Sequence, residues 1–380
     1  MKLNITIEKQ ALIEGLTKVG KYTANNDIVP ILNGIYLKVS EDEISLIGSN
    51  KESTIKYTIS NKETFNIHQT GQVVLPKTFT DIVKKLPTGL VNISFTDFSS
   101  VSISSEKSLF TINGLDAVEY PRNTIVNKGI FQLKVSLDKF LPAIEQTYYC
   151  SSQNSNRAEL KGINVTVSNK AITLVATNSL ILSKYIIELD STVTNEEIHH
   201  TAIIPGRWLF DAIRTFSTNE IEILFEENAV SLISEGIYLK SLLIEGKYPE
   251  INNALNSIKN MKNQFIIDRK ELINSLEQVE ILCLQGEKRA AAILIYENDK
   301  LSIVNTNKEH GEINVQLDYK LHGEQLEKLK LAFNPSLMLS HLRALQTANV
   351  TLGYLGNLNP VFFDSSIDKH IKLMLPMRIM

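Results

Sequence analysis

Residues 7–19 read IEKQALIEGLTKV, and residues 267–279, IDRKELINSLEQV, repeat their pattern of apolar positions 260 residues later. A third version, VSLDKFLPAIEQT, lies between them at residues 135–147. In all three, large apolar residues recur at spacings of three and four, which predicts a helix with one buried and one polar face. Recurrence at such long intervals predicts three copies of one domain.

Later parts of each copy repeat as well. A triplet that precedes a second helical stretch occurs three times, as Val74-Leu75-Pro76, Ile203-Ile204-Pro205 and Phe333-Asn334-Pro335. Proline fits there because no helix hydrogen bond is lost near a first turn. Each copy closes on an apolar or aromatic residue before proline, at intervals of 128 and 127 residues: Tyr120-Pro121, Tyr248-Pro249 and Leu375-Pro376. We therefore expect domains at residues 1–127, 128–256 and 257–380, joined by linkers at residues 122–129 and 250–263.

Between the helices, apolar and polar residues alternate, which is typical of strands. This alternation predicts three hairpins: Ile35, Leu37 and Val39 with Ile44 and Leu46; Ile163, Val165 and Val167 with Ile172 and Leu174; and Leu294 and Tyr296 with Leu301 and Ile303. The expected fold class is α+β. Each copy should contain two units, each made of a strand, a helix and a run of strands.

Composition narrows the class of protein. The 380 residues carry 39 Lys and Arg against 42 Asp and Glu, a net charge of −3. This balance argues against a basic protein that coats nucleic acid, while a localised basic face stays compatible with it. Two cysteines are too few for a disulfide framework, no apolar run is long enough to cross a bilayer, and the first residues lack a signal-peptide pattern. We expect a cytoplasmic protein.

Patterns for catalysis or metal binding are missing. The seven histidines form no HExxH motif, and there is no CxxC. Residues 15–22 match GxxxxGK but end in Tyr22, where a P-loop needs a hydroxyl for Mg²⁺, and they continue a helix rather than open one. An NTPase that uses residues 15–21 is the alternative that this motif leaves. We expect a scaffold that acts through its shape, without enzymatic activity, cofactor or metal.

Basic residues are concentrated on the second helix of each copy: Lys77, Lys84, Lys85, Arg207, Arg214 and Arg343. The first helices are neutral or acidic. This asymmetry favours nucleic acid passing near the second helices, and ordinary solvated helix faces explain the same charges about as well.

At this point the chain resembles a known family, the bacterial DNA polymerase III β subunit, or processivity sliding clamp. The resemblance spans the full chain. Its carriers are Pro30-Ile31-Leu32, Tyr120-Pro121, Ala176-Thr177, Tyr248-Pro249 and the terminal Leu375-Pro376-Met377-Arg378-Ile379. The terminal Pro-Met-Arg is the most specific of these motifs.

The resemblance implies three "DNA clamp" domains that form half of a dimeric ring, each with two helices on the inner face and antiparallel sheets outside. Such a homodimer encircles double-stranded DNA without sequence readout and gives processivity to the replicative polymerase. Implied partners are the DNA polymerase III α subunit and the clamp loader, with other DNA polymerases, ligase and mismatch-repair proteins bound by peptide motif, and no membrane. The alternative is a specialised second clamp copy, or a peptide-binding adaptor that does not encircle DNA.

The resemblance also implies an apolar partner-peptide groove between the second and third domains. Its residues in this chain would be Leu160, Thr177, Ser179, Leu180, Ile181, Leu182, Pro249, Asn334, Leu337, Leu373, Met374, Leu375, Pro376, Met377, Arg378 and Ile379. Flexible methionines suit a surface that accepts several peptides. From the residues alone, an edge strand that completes the sheet of the third domain is the preferred interpretation of residues 373–379.

Two segments depart from the family pattern. Where the family usually has Ala-Thr-Asp-Gly-His-Arg-Leu, residues 176–182 read Ala-Thr-Asn-Ser-Leu-Ile-Leu, so the expected groove loses a cation and gains bulk at Leu180 and Ile181. A basic residue that is common before the first-domain Pro-x-Leu is not evident after Lys21. These changes predict altered peptide specificity and a weaker grip on DNA.

Ring closure in the family joins the end of the first domain to the start of the third. The matching positions here are Phe110, Ile112 and Leu284, all apolar, as the core of an interface requires. For Ile112, a place in the core of its own domain is an equally good interpretation.

Overall fold

The computed structural model describes residues 3–25, 29–97, 100–121, 129–189, 199–258, 263–283, 291–307, 311–323, 328–356, 359–364 and 370–377. The first copy contains β1 (Leu3–Glu8), α1 (Lys9–Val19), β2 (Ile35–Val39), β3 (Ile44–Ser49), β4 (Ser53–Ile59), β5 (Phe65–Gln69), β6 (Gly71–Leu75), α2 (Lys77–Lys85), β7 (Leu90–Asp97), β8 (Ser100–Ser105) and β9 (Ser108–Asn113).

The other two copies repeat this order. The second contains β10 (Phe131–Ser136), α3 (Leu137–Tyr148), β11 (Gly162–Ser168), β12 (Ala171–Thr177), β13 (Ile181–Glu188), β14 (His199–Pro205), α4 (Gly206–Ile213), β15 (Glu220–Phe225), β16 (Ala229–Ser234) and β17 (Ile237–Leu242). After it come α5 (Asn252–Ser257), β18 (Asn263–Asp268), α6 (Arg269–Cys283), β19 (Ala292–Glu297), β20 (Lys300–Asn307), β21 (Gly311–Leu317), β22 (Lys320–Gly323), β23 (Lys328–Phe333), α7 (Pro335–Ala344), β24 (Asn349–Tyr354), β25 (Val361–Asp364) and β26 (His370–Met374).

This order confirms the predicted α+β fold and its strand, helix and strand-run units. The three predicted hairpins are also present, with β2 pairing β3, β11 pairing β12 and β19 pairing β20, all antiparallel. The β19–β20 turn places Asn298 and Asp299 at φ of 51° and 55°, which is the left-handed backbone that a tight hairpin turn needs.

Four sheets divide between two compact units. Residues 1–138 and 211–243 form the first unit, which holds the sheets β5-β1-β7-β8-β9 and β10-β15-β16-β17-β4-β3-β2-β6. Residues 139–210 and 244–380 form the second, with the sheets β14-β11-β12-β13-β26-β25-β24-β18-β22 and β21-β20-β19-β23. Within each unit, one sheet therefore crosses from one copy to the next, at the strand pairs β4–β17 and β13–β26.

Helix α1 shows how the apolar stripe is used. Leu12, Leu16 and Val19 are fully buried, as the spacing predicts. Gly15 lies on the same face, where a Cβ would approach Leu46 Cδ1 of β3 to 2.6 Å and Tyr57 Cδ1 of β4 to 2.7 Å. The glycine of the GxxxxGK match therefore permits close helix–sheet packing, and it offers no space for a phosphate. This packing contradicts the NTPase alternative.

The predicted linker at residues 250–263 is wrong in part, because it contains α5. Ile251, Ala254, Leu255 and Ile258 have the i, i+3, i+4, i+7 spacing of an amphipathic helix and pack against an apolar cluster of the second unit. Most of the other linker, residues 122–128, lies outside the described residues.

Cys150 and Cys283 are buried free thiols. Among the described residues, helices with the length and apolarity to span a membrane do not occur. In the same part of the chain, no three His, Cys, Asp or Glu side chains are grouped so that they could hold a metal ion.

Candidate functional site

An apolar cluster in the second unit is built where strands of two copies meet. Its buried members are Val175 of β12, Leu182 of β13, Phe362 of β25 and Leu373 of β26. Half-buried apolar residues pack against it: Tyr248, Ile251, Ala254, Leu255, Ile258, Leu355 and Ile371. We call this cluster, together with the β12–β13 turn and residues 375–377 beside it, the partner groove, after the role that the resemblance implies for it; that it binds partners stays a prediction.

Strand pairing fixes the floor of the partner groove. Leu182 lies directly opposite Leu373 in the antiparallel pair β13–β26. Side chains of successive residues point to opposite faces of a sheet, so Leu182 and Leu373 share the groove face, whereas their neighbours Ser183 and Lys372 point beneath it. Two leucines from different copies therefore form the floor at the junction.

The β12–β13 turn is held by its own polar side chains. Asn178 Oδ1 accepts the N–H groups of Leu180 at 2.9 Å and Ile181 at 3.0 Å, and Thr177 Oγ1 donates to the Ile181 carbonyl at 2.7 Å. Ser179 has φ of 74°, a conformation that glycine adopts most readily, at the position where the family usually has glycine. Leu180 is 52% exposed, whereas Ile181 is buried in β13. The expected gain of bulk at the groove surface is therefore due to Leu180 alone.

Residues after β26 continue along the groove. The Leu375 N–H donates to the Leu180 carbonyl at 2.8 Å, and the Met377 N–H donates to the Ala332 carbonyl at 2.7 Å. Leu375 is exposed next to Leu180, which makes an apolar rim of two leucines. Arg378 and Ile379 lie outside the described residues.

The remaining predicted groove residues take other roles. Leu160 and Met374 are buried in the surrounding structure, and Asn334 caps α7 by accepting the Ser336 N–H at 3.0 Å. Pro249 and Leu337 are half-buried. None of these five belongs to the apolar cluster.

Sequence reasoning missed several members of the cluster, namely Val175, Tyr248, Ile251, Ala254, Leu255, Ile258, Leu355, Phe362 and Ile371. The helical spacing of the four α5-region residues was the signal that could have found them. Tyr248 closes the second copy in the sequence pattern, and in the structure its hydroxyl accepts the Thr177 N–H at 3.0 Å.

A buried histidine supports the floor from below. His341 Nε2 lies 3.0 Å from the Leu373 carbonyl, and Nδ1 lies 2.6 Å from Tyr149 Oη. Because a carbonyl only accepts, Nε2 carries the proton and Nδ1 accepts from the tyrosine hydroxyl. Complete burial, with the nearby Lys372 charge as a second cause, lowers the pKa of His341 to about 3. The imidazole is therefore neutral and has one fixed tautomer.

The predicted DNA-facing residues are exposed, but several have protein partners. Lys77 Nζ donates to the Ala24 carbonyl at 2.9 Å, Arg207 Nη1 donates to Tyr148 Oη at 3.3 Å, and Arg343 Nη2 pairs with Glu277 at 2.8 Å. Lys84, Lys85 and Arg214 are also exposed. The Arg343 pair places an acidic residue of a first helix beside a basic residue of a second helix. That the six residues face DNA stays a prediction.

Strand β9 leaves apolar side chains at the edge of its sheet. It is the last strand of the five-stranded sheet, with Leu109 70% and Phe110 39% exposed. Ile112 is half-buried, so its place at an interface stays a prediction, and Leu284 lies outside the described residues. An apolar strand at the edge of a sheet is a surface on which another strand can pair.

Sequence profiles of one family match nearly the whole chain, copy by copy. The N-terminal domain of the DNA polymerase III beta subunit matches residues 3–124, the central domain residues 134–250, and the C-terminal domain residues 259–378. The chain belongs to the DNA polymerase III beta subunit family. This membership confirms the resemblance found in the sequence.

Members of this family from several bacteria are similar over their full lengths. The beta sliding clamp of Staphylococcus aureus is 29% identical over 99% of both chains. The crystal structure of the Bacillus subtilis DNA polymerase sliding clamp superimposes with a TM-score of 0.91, 26% identity and complete coverage of both chains. A Pseudomonas aeruginosa sliding clamp bound to griselimycin has the same fold, with a TM-score of 0.90, 21% identity and complete coverage of both chains.

Proposed function

We propose that this chain is a non-catalytic DNA sliding clamp. Two copies would close head to tail into a ring around duplex DNA and hold the replicative DNA polymerase on its template in the cytoplasm. The observation that carries the proposal is the triplicated α+β unit, whose full length aligns with beta sliding clamps. Domains at residues 1–127, 128–256 and 257–380 belong to this proposal.

The basic second helices support contact with DNA. Lys77, Lys84, Lys85, Arg207, Arg214 and Arg343 are exposed, and their charges would meet phosphates rather than base edges. Phosphate contacts carry no sequence information, so the ring can slide. The Arg343–Glu277 pair reduces one of these charges, which is consistent with a modest grip on DNA.

The partner groove supports binding of short peptides. Its apolar floor and its rim of Leu180 and Leu375 suit apolar side chains of an extended peptide. The polymerase III α subunit and the clamp loader would bind here, as would other polymerases, ligase and mismatch-repair proteins. Tethering the polymerase in this way raises its effective concentration at the primer end. A Pseudomonas aeruginosa sliding clamp binds griselimycin, and we propose this ligand as a probe for the groove of the present chain.

The test of the proposal is retention on closed DNA. Loaded by its cognate clamp loader, the protein should stay on a nicked circular plasmid through gel filtration and leave when a restriction enzyme linearises the plasmid. Primer extension by the cognate polymerase should lengthen with the protein present. Free escape from circles, with binding to the polymerase retained, would favour the adaptor alternative.

Ring closure predicts a specific effect at β9. Phe110 is 39% exposed. Replacing it by aspartate should weaken the dimer at least tenfold, because the new charge would be buried where the apolar side chain would pack against the partner. Analytical ultracentrifugation measures the change. Lys107→Asp, at the turn before β9, is the control for an added acidic group. An unchanged dimer in the Phe110 variant would contradict this interface.

A further inference from the structure

Lys372 is a buried lysine beneath the partner groove. Its side chain is 1% exposed and lies opposite Ser183 in the β13–β26 pair. The ammonium group donates to the Gln146 carbonyl at 3.3 Å, Gln146 Oε1 at 3.2 Å and Ser183 Oγ at 3.4 Å, and it lies 6.0 Å from the centre of the Tyr149 ring. Among the described residues, no carboxylate forms an ion pair with it.

A second buried lysine of the chain, Lys240, differs from Lys372 because it has an ion-pair partner. Lys240, on the strand that forms the other inter-copy pair, is also buried, but its ammonium lies 2.6 Å from Glu226 Oε2. Burial lowers the pKa of Lys372 to about 8. A charge buried without an opposite charge is costly, and apolar residues in such places are often neutral or stabilising. Stability therefore does not explain the lysine.

The contacts of Lys372 join the groove floor to a helix end. Gln146 is in the last turn of α3, where carbonyl groups lack helix partners and favour a cation. Its carbonyl accepts Ser183 Oγ at 2.6 Å as well as Lys372 Nζ. Gln146 thus bonds to both strands of the junction, through Ser183 of β13 and Lys372 of β26. Each of these two residues is next in sequence to a leucine of the groove floor.

We propose that Lys372 is a positioning residue of the partner groove: its ammonium group ties β26 and β13 to the end of α3 and so sets the spacing of Leu373 and Leu182. The inference rests on the proposed function of the groove. Loss of the ammonium charge lets the two strands separate from α3, and the floor loses its fit to an apolar peptide side chain.

A pH titration tests this proposal, because the groups around Lys372 keep their charge over the pH range in which Lys372 loses its proton. From the α3 end, burial raises the pKa of Tyr149 well above its usual value and that of Cys150 to about 12. His341 of α7 has a pKa of about 3. The directly opposed residues on β13 and β25, Ser183 and Phe363, do not titrate in this range. Between pH 7 and pH 9.5, Lys372 alone in this cluster loses its proton.

The experiment measures griselimycin affinity of the full-length protein by calorimetry at pH 7 and pH 9.5. For the wild type we expect affinity to fall about threefold as Lys372 is deprotonated. Lys372→Met should bind at least fivefold more weakly at pH 7, show no further change at pH 9.5, and melt at the same temperature as the wild type or higher. Lys170→Met, at an exposed turn position, controls for the loss of a lysine.

Hydrogen exchange of residues 181–185 and 370–374 gives a second readout that needs no ligand. Exchange should be faster in Lys372→Met than in the wild type. Wild-type affinity and wild-type pH dependence in Lys372→Met would overturn the positioning role. If the wild type does not bind griselimycin, the groove assignment fails and this proposal fails with it, whereas clamp function is judged separately by retention on circular DNA.

Discussion

Replacing Lys240 by methionine should lower the free energy of unfolding by about 3–5 kcal/mol. Lys240 Nζ lies 2.6 Å from Glu226 Oε2, and the two side chains are 10% and 3% exposed. Glu226 also accepts a hydrogen bond from Ser231 Oγ at 3.2 Å, which cannot balance a full negative charge. Without the lysine, the carboxylate stays buried and unpaired, and that desolvation cost destabilises the folded state.

Urea denaturation of three variants distinguishes the cost of burying a charge from the benefit of pairing it. The double change Lys240→Met with Glu226→Leu removes both charges and should recover most of the lost stability. Lys62→Met breaks an ion pair with Asp42 in which both side chains are largely exposed, so it should cost less than about 1 kcal/mol. A Lys240→Met variant as stable as Lys62→Met would contradict the buried pair.

Acid should destabilise the protein by about 3 kcal/mol at pH 4 through His341 alone. The unfolded side chain has its ordinary pKa near 6.5, whereas in the folded state the pKa is about 3. Above pH 6.5 neither state binds the proton. Between pH 6.5 and pH 3 only the unfolded state binds it, so stability falls as the pH falls.

The histidine contribution is measured as a difference between two proteins. Glutamine offers one donor for the Leu373 carbonyl and one acceptor for the Tyr149 hydroxyl, and it does not titrate. Urea denaturation of His341→Gln between pH 7 and pH 4 should therefore show a smaller loss than the wild type, by about 3 kcal/mol. Parallel curves would mean that His341 takes up a proton in the folded state.

Much of the fold was predictable from sequence because periodicity records local structure. The stripe of Leu12, Leu16 and Val19 and the alternation in β2 and β3 each follow from which face is buried. Helix α5 was missed because it is short and rich in asparagine, so its composition resembled a loop although its apolar spacing was helical.

The parts that could not be predicted depend on contacts distant in sequence. Lys372 belongs to a strand in which a lysine would ordinarily point to solvent, and its partner Gln146 lies 226 residues away. The Arg343–Glu277 pair likewise joins two helices, α7 and α6, that are distant in sequence, and the charge of either helix alone does not predict it. The sequence of a strand does not predict which other strand pairs with it, so the pairs β4–β17 and β13–β26 are seen only in the structure.

The strand pairs β4–β17 and β13–β26 determine how fragments of this protein would behave. A fragment that ends where one copy ends exposes an edge strand whose backbone amides and carbonyls have lost their hydrogen-bond partners. Such an exposed edge strand promotes aggregation. The three copies are separate in sequence, but each depends on a neighbouring copy for a strand pair.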